Sequence, residues 1–246
     1  MAIYQMNIGA YEFAYNPTDI RDRIEIHRVR KPVLSGEISY IQKMSVTRDI
    51  SFTGMLLAAS ETDETEPDAF RAACMATAPL NLYIRSDRIY KIYPEVVGWG
   101  RKIGPQYQRQ IELRAMLAEP YQMSATEHTT VWDVSTSGDT DTFANAGNKE
   151  VEPAIQIVCD TASLINPVIS DGTRSLTVTG TMSKDDSLVI ARDWTALLNG
   201  STDWSGKLSG DYPQLAKSAT TTLTYTDDGA SSHDATVNVV WRDFWH

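Results

Sequence analysis

The sequence predicts a mainly β fold in two parts. Short runs rich in β-branched residues recur along the chain with turn-forming residues between them, most regularly in its second half. An Ala-containing stretch with an acidic start predicts one short helix. At 246 residues the chain is long enough for one large β domain or two ordinary ones. We expect an N-terminal β domain over residues 1–122, a linker or interdomain hairpin over 123–142, and a C-terminal β domain over 143–246.

The first half begins with strand patterns. "RIEIHRVRKPVL" alternates apolar and polar residues at Ile24, Ile26 and Val29 and is interrupted by Pro32. "GEISYIQKMSVTRDISFTGMLLA" then holds two β-rich runs. The following "ETDETEPDAFRAACMATAP" predicts a helix near residues 67–77, because proline suits the first turn of a helix and acidic residues suit its N-terminal end.

Two strand patterns follow the predicted helix. "LNLYIRSDRIYKIYPEVVGW" predicts a hairpin with a tight turn at Ser86-Asp87. "GWGRKIG" has glycines but no phosphate-binding Lys-Ser/Thr pair, and we interpret it as a loop between strands. "RQIELRAMLAEPY" is compatible with a strand or a short helix, and its alternation favours the strand.

The second half is nearly all β in pattern. Residues 122–142 are rich in Ser, Thr and Asp, which makes them the best candidate for a linker. Beyond them, runs such as "PAIQIVC", "SLTVTGTM" and "ATTTLTYT" alternate with the turn sequences "NAGN", "SDGT", "SKDD", "LNGS" and "TDDG". Turns at this spacing are typical of a sandwich, a jelly roll or a small barrel. In the closing "VNVVWRDFWH", Val237, Val239 and Trp241 fall on one face of a strand, so we expect Trp241 to anchor a core.

Charge is unevenly distributed. Residues 1–122 carry 15 basic and 15 acidic side chains, whereas residues 123–246 carry 7 and 17, which gives the net charge of −10. An acidic surface repels phosphates, so we expect no nucleic acid as a partner. No apolar run is long enough for a transmembrane helix, so we expect no membrane insertion. The N-terminus lacks the features of a secretory signal, so we expect the protein to be made in the cytoplasm.

We find no motif that predicts catalysis or a cofactor. The four histidines, His27, His128, His233 and His246, have no metal-binding spacing, and we expect ordinary surface side chains. Cys74 and Cys159 are far apart and favour two free thiols. The acidic turns do not continue into a calcium-binding spacing. We therefore expect no catalytic residue, metal or cofactor, although the many carboxylates leave a glycosidase open.

Two tryptophans leave a binding role open. Trp194 and Trp204 flank the turn Asn199-Gly200-Ser201. An exposed indole on a β-sandwich can serve as a platform for sugar or a partner, whereas a buried one is a core residue. Both interpretations stay open from the sequence, and the first makes a carbohydrate-binding module or adhesin the alternative function.

The order of short motifs after residue 143 resembles the distal tail protein family of long, flexible-tailed bacteriophages. "FANAGNKEVEPAIQI" matches its Asn-x-Gly-Asn turn and Pro-led strand, "LSGDYPQL" its Gly-Asp-aromatic-Pro segment, and "VNVVWRDFW" its closing strand. Where the family often has Pro-Gly, this chain has Lys217-Ser218-Ala219. The first half resembles the family more weakly, through "RDISFTGML" before the helix. The matching residues are Gly147, Asn148, Pro153, Gly210, Asp211, Tyr212, Pro213, Leu215, Trp241, Arg242 and Trp245.

This resemblance implies a structural role. Family members form rings, commonly hexamers, at the distal end of the tail tube. The resemblance thus implies a ring-forming N-terminal β domain and a galectin-like or carbohydrate-module-like sandwich outside it. The implied partners are further copies of the chain, the tail tube protein, and tail-tip hub or tape-measure-associated proteins. The implied location is the virion tail tip, and the implied protein is a baseplate component that is not an enzyme.

Overall fold

The computed structural model describes residues 7–8, 11–12, 18–29, 43–56, 65–75, 78–83, 87–103, 108–119 and 121–245. The chain divides into two compact units, residues 1–125 and 126–246. Its described sheets are antiparallel, and its one α-helix lies in the first unit, which confirms the predicted fold class for the described part of the chain.

The first unit is built around one antiparallel sheet. Its strands follow the order β2-β1-β5-β6-β7-β4-β3, and β8 pairs with the start of β6. The elements are β1 (Asn7–Ile8), β2 (Tyr11–Glu12), β3 (Thr18–Val29), β4 (Lys43–Leu56), α1 (Thr65–Cys74), β5 (Leu80–Tyr83), β6 (Arg88–Ile103), β7 (Gln108–Leu117) and β8 (Gln122–Ser124).

The helix packs on an apolar face of this sheet. Phe70 of α1 is fully buried in one cluster with Phe52 of β4 and Leu113 of β7. The helix begins at Thr65, two residues before the predicted start. Proline is accepted within the first turn because the amide groups there have no intrahelical partner to lose. The predicted last residues of the helix, Ala76 and Thr77, lie outside the described residues.

The predicted hairpin after the helix is present. Leu80 pairs with Ile92, so β5 and β6 run antiparallel; Ser86 of its predicted turn lies outside the described residues. β7 confirms the strand interpretation of "RQIELRAMLAEPY". "GWGRKIG", interpreted as a loop, instead belongs to β6 up to Ile103, where the pairing with β7 contains two register shifts. Glycines can occur in strands at such irregularities, and this explains the wrong interpretation.

The second unit is a sandwich of two principal sheets. One has the order β10-β20-β13-β14-β19, the other β18-β17-β16-β11-β21-β9, and β12 pairs separately with β15. The strands are β9 (His128–Val134), β10 (Thr140–Asn145), β11 (Ala154–Cys159), β12 (Ser163–Ile165), β13 (Val168–Ser170), β14 (Ser175–Val178), β15 (Thr181–Ser183), β16 (Ser187–Ile190), β17 (Ala196–Leu198), β18 (Thr202–Asp203), β19 (Leu208–Gly210), β20 (Ala219–Thr226), β21 (Ala235–Trp241) and β22 (Phe244–Trp245), with a 3-10 helix at Ser205–Lys207.

The segment 123–142, predicted as a linker or interdomain hairpin, differs from both. β9 pairs with β21 in one sheet and β10 with β20 in the other, so most of this segment belongs to the sandwich. Trp132, Val134 and Phe143 point inward and are buried. The Ser, Thr and Asp residues between them occupy outward positions and a turn, where polar side chains remain in water.

The closing strand agrees with its sequence pattern. In β21, Ala235, Val237, Val239 and Trp241 are buried and alternate with half-buried residues. Trp241 is 7% exposed, as expected for a core residue. β21 lies between β11 and β9, so it is an interior strand of its sheet.

Candidate functional site

Separate segments of the second unit meet at the turn after β10. Asn145 is only 2% exposed. Its Nδ2 donates to the carbonyl oxygens of Lys149 at 2.8 Å and Leu215 at 3.3 Å, and its Oδ1 accepts the Gly147 N–H at 2.9 Å. This side chain joins its own turn to the segment around Leu215. Asn145 was not among the predicted signature residues, although it opens the Asn-x-Gly-Asn motif.

Gly147 allows the C-terminal segment to approach the turn. A Cβ atom on Gly147 would lie 2.4 Å from the carbonyl oxygen of Phe244 and 2.6 Å from its amide nitrogen, so no side chain fits without movement of the backbone. The Gly147 carbonyl accepts the Ser218 N–H at 2.7 Å and the Ser218 hydroxyl at 3.1 Å. Neighbouring Asn148 is exposed.

Ser218 forms the turn before β20, where the family pattern often has Pro-Gly. Its φ is +50°, in the left-handed region that glycine adopts more easily. The two hydrogen bonds to Gly147 hold this serine in place. The turn before β20 is therefore built by hydrogen bonding rather than by glycine.

The "GDYPQL" segment is tied to the sandwich along its length. Gly210 has φ +91°, and a Cβ there would lie 2.1 Å from the carbonyl oxygen of Ser175. The Asp211 N–H donates to that same oxygen at 3.0 Å, while its side chain is exposed. Pro213 is buried, and Leu215 exchanges two backbone hydrogen bonds with Val151.

Tyr212 is the buried aromatic residue of this segment. Its hydroxyl lies 2.8 Å from the carbonyl oxygen of Pro153 and 3.2 Å from that of Ile190. Burial raises the pKa of this phenol above its usual value, so it remains a neutral donor. Pro153 is also buried and immediately precedes β11, so the two signature motifs meet through this hydrogen bond.

A buried carboxylate holds the end of the "GDYPQL" segment. The Asp171 side chain is 5% exposed. It accepts the backbone N–H groups of Thr173, Arg174 and Gln214 at 2.7–2.9 Å, and the Arg174 guanidinium at 3.3 Å. Burial alone would raise the pKa of this carboxyl, but the hydrogen bonds lower it below the usual 3.8.

Trp241 belongs to an aromatic cluster between the sheets. Its ring meets Phe143 edge-on at 5.9 Å and stacks on His128 at 5.1 Å. Trp132 contacts Phe143 and Tyr225 in turn, at 6.2 and 6.5 Å. The next signature residue, Arg242, lies with its Nε 3.5 Å from Glu127, and Trp245 is half-buried.

Two histidines are paired rather than free on the surface. His128 Nε2 lies 3.1 Å from a carboxylate oxygen of buried Asp243, whose other oxygen accepts the Ala146 N–H. His233 Nδ1 lies 2.5 Å from Asp227, whose side chain is fully buried. The sequence around each lone histidine gave no signal of these partners, because the carboxylates are brought to them by folding. The side chain of His27, and His246, lie outside what the structure describes.

The two candidate tryptophans have different environments. Trp204 is 7% exposed, and the Lys207 ammonium lies 3.6 Å from its ring centroid. Trp194 is 37% exposed and sits in the loop between β16 and β17. Their role in sugar or partner binding stays a prediction, but Trp194 alone of the two presents a substantial indole surface.

Candidate chemistry elsewhere is sparse. Among the described residues, no group of three or more His, Cys, Asp or Glu side chains is placed to hold a metal ion. Cys74 is half-buried and Cys159 buried, and both are free thiols. Burial raises the pKa of Cys74 to about 12, which keeps it protonated and unreactive at neutral pH.

A separate observation concerns membranes. In the described part of the chain, no helix has the length and apolar character needed to cross a bilayer.

Sequence comparisons give no relative. No protein-family model matches the chain, and no curated protein sequence matches it.

Solved structures show the fold. The chain is similar to the crystal structure of the SPP1 Dit protein, described as a paradigm of the hub adsorption apparatus in phages that infect Gram-positive bacteria, with a TM-score of 0.67 and 14% identity over 98% of this chain and 99% of that one. Two structures of the phage p2 baseplate in its activated conformation, with Sr and with Ca, have TM-scores of 0.44 at 7% and 8% identity. They cover 98% and 96% of this chain and 98% and 97% of theirs, and we base no conclusion on them. The chain therefore has the fold of the SPP1 Dit hub adsorption protein, in line with the resemblance to the distal tail protein family.

Proposed function

We propose that this chain is a structural virion protein that forms a ring at the tip of a phage tail. The observation that carries the proposal is the whole-chain likeness to the SPP1 Dit protein, which spans 98% of one chain and 99% of the other. A β-sandwich alone is shared by many unrelated functions. Two units that match in order over their full length are a far more specific likeness.

A paired arm in the first unit supports assembly with further copies. β4 pairs with β7 only from Asp49 onward, and among the described residues its earlier part, from Lys43, pairs with β3 alone. The register sets Ile26 opposite Val46 and Arg28 opposite Met44. Opposed residues of an antiparallel pair share a face, and alternate pairs along the arm fall on the same face. One face of the arm, here called its apolar face, therefore carries four apolar residues and two arginines: Ile24, Ile26, Met44, Val46, Arg28 and Arg48.

Such an arm favours a partner. A two-stranded ribbon is marginally stable by itself, and covering its apolar face supplies the missing burial. A neighbouring copy could provide this cover at a site different from the arm itself. Contacts between two different patches generate rings when the rotation closes, and we propose six copies by analogy with the family.

Charge supports the proposed arrangement. The 15 basic and 15 acidic side chains of residues 1–122 allow copies to pack without net repulsion, while the acidic second unit suits a solvated periphery. In this proposal the ring joins the tail tube to tail-tip hub or tape-measure-associated proteins and so to the adsorption apparatus. The role is structural, without enzymatic activity, a cofactor or nucleic acid binding.

Electron microscopy of the purified chain tests the proposal. We expect ring-shaped particles with a central hole of tail-tube width and a mass several times that of the 27.4 kDa chain in analytical ultracentrifugation. A monomer at every concentration, including in the presence of purified tail tubes, would contradict it.

A pair of variants tests the arm. Ile26→Asp places a charge on the apolar face of the arm, and we expect loss of rings with both units still folded by circular dichroism. His27→Asp introduces the same side chain at the neighbouring position on the opposite face, and we expect its rings to remain. Equal ring formation by both variants would show that this face makes no contact between copies.

A further inference from the structure

We propose that the loop between β16 and β17 is a contact site for a neutral saccharide, with Trp194 as its platform. The loop is a tight hairpin connection: the Trp194 N–H donates to the Ala191 carbonyl at 3.0 Å, and the Ala191 N–H donates to the Thr195 carbonyl at 2.8 Å. These bonds define a type I turn followed by one residue in the left-handed region, a common three-residue hairpin loop. Trp194 occupies the left-handed position.

Tryptophan is an unfavourable choice at this position. Its φ is +68°, a conformation that glycine adopts freely and that is an outlier for a bulky residue. A glycine at Trp194 would form the same turn without strain. Strained residues of this kind cluster at functional sites, where the side chain has a role that offsets the cost. The indole is therefore retained for something other than forming the turn.

The loop holds the indole in a defined position. The Asp193 carboxylate accepts the Thr195 N–H at 3.1 Å and also binds the Thr195 hydroxyl. The Tyr212 ring meets the indole edge-on, with centroids 5.8 Å apart, and is itself fixed by its buried hydroxyl. A ring that is already held in place loses little freedom when a ligand binds. Despite this support, Trp194 is 37% exposed, whereas Trp204 is buried under Lys207.

The side chains around the indole indicate the ligand class. Arg192 and Asp193 precede it in the loop and are exposed. The Arg192 guanidinium lies 5.5 Å from the centroid of the Phe244 ring, and the Asp193 carboxylate is bound by Thr195. The loop thus carries a donor and an acceptor of opposite charge next in sequence to an aromatic surface. A sugar presents an apolar ring face for the indole together with hydroxyl groups for such side chains. The 17 acidic against 7 basic side chains of residues 123–246 disfavour an anionic polymer. The combination favours a neutral saccharide.

Binding by the full-length Trp194→Gly variant tests the proposal. We would titrate chitohexaose and cellohexaose into wild type and variant by isothermal calorimetry and follow tryptophan fluorescence, with poly(glycerol phosphate) as an anionic comparison. We expect saturable binding of a neutral oligosaccharide by wild type and at least tenfold weaker binding by Trp194→Gly. The melting temperature should stay unchanged or rise, because glycine relieves the strained conformation. Leu197→Ala, which truncates another exposed apolar side chain of the same hairpin, should bind like wild type.

Several results would overturn the proposal. Absence of binding of both neutral oligosaccharides by wild type would remove the site, and binding of the anionic polymer alone would contradict the ligand class. A Trp194→Gly variant that binds normally but melts at a much lower temperature would show that the indole only packs against Tyr212. Ring formation is measured separately by electron microscopy, so failure here leaves the proposed assembly role unaffected.

Discussion

The two units bury their apolar residues in different ways. The second unit packs two sheets face to face, with the rings of Trp132, Phe143 and Trp241 between them. In the first unit α1 packs on the sheet's apolar face, and Tyr93 and Met116, paired directly on β6 and β7, are 45% and 55% exposed. The sandwich also presents apolar side chains, since Val189 and Leu197, paired directly on β16 and β17, are 43% and 41% exposed. The two units therefore differ in how the core is built and not in whether apolar surface is exposed. Because the second unit has a core between its own two sheets, we expect it to unfold as a unit of its own.

The largest expected effect comes from the aromatic cluster of the second unit. Trp241→Ala removes the ring that meets Phe143 and His128, and we expect the free energy of unfolding of the second unit to fall by about 3–5 kcal/mol. Chemical denaturation of the full chain, followed by near-UV circular dichroism and by amide exchange, would measure the loss and locate it.

The same experiment tests the comparison of the units. Val240→Ala, at the adjacent half-buried position of β21, should cost about 1 kcal/mol or less. If Trp241→Ala lowered protection equally in both units, the second unit would not be the independent folding unit described above.

Steric exclusion at Gly210 gives the next largest effect. Gly210→Ala would bring a Cβ to 2.1 Å from the Ser175 carbonyl oxygen at φ +91°, so β14 and β19 must move apart, and we expect a loss of about 2–4 kcal/mol. Gly172 has φ +85°, but a Cβ atom there would meet nothing within 4 Å, so Gly172→Ala carries only the backbone strain, about 1–2 kcal/mol. Thermal denaturation of both variants separates the two contributions, and equal losses would show that the contact with Ser175 is easily relieved.

The smallest effect concerns pH. The hydrogen bonds that lower the pKa of Asp171 stabilise the fold above the carboxyl's usual value of 3.8, and this stabilisation disappears as the pH falls through the lower folded value. Asp171→Asn should therefore cost about 1–2 kcal/mol at pH 7, and the difference from wild type should shrink as the pH falls below about 4. Urea denaturation between pH 2 and 7 (a range chosen to span these pKa values) measures it. A difference that stays constant over this range would mean that the carboxylate charge contributes nothing.

The strands were predictable because apolar and polar residues alternate along them, and this alternation indicates which side chains are buried. The inward positions of β21, the strand character of β7 and the hairpin of β5 and β6 all follow from alternation over a few residues. The turn at Asn199-Gly200 was likewise predictable: both residues have positive φ, which glycine adopts freely because it lacks a Cβ atom and which asparagine tolerates. The segment 123–142 was predicted as a linker or interdomain hairpin because polar outward residues of a strand have the same composition as a linker, whereas β9 and the start of β10 lie within it and pair in different sheets.

Long-range contacts could not be predicted in this way. Asn145 bonds within its own turn, to Lys149 and Gly147, and also to Leu215, which lies 70 residues away. His128 and Asp243 are brought together across the length of the second unit, 115 residues apart. The sequence around Asn145 and His128 does not indicate these partners, because hydrogen bonds between distant segments depend on the order of the strands in the sheets.

The sequence by itself determined the β class, the two-part organisation of its charge and the strand that ends at Trp241, since these depend on composition and on the two-residue period of a strand. The tertiary structure decided which tryptophan is buried and which is exposed, because Trp194 and Trp204 have equally polar neighbours and differ only in what packs against them. It also decided that Trp194 adopts a left-handed conformation, since that follows from how β16 and β17 are joined.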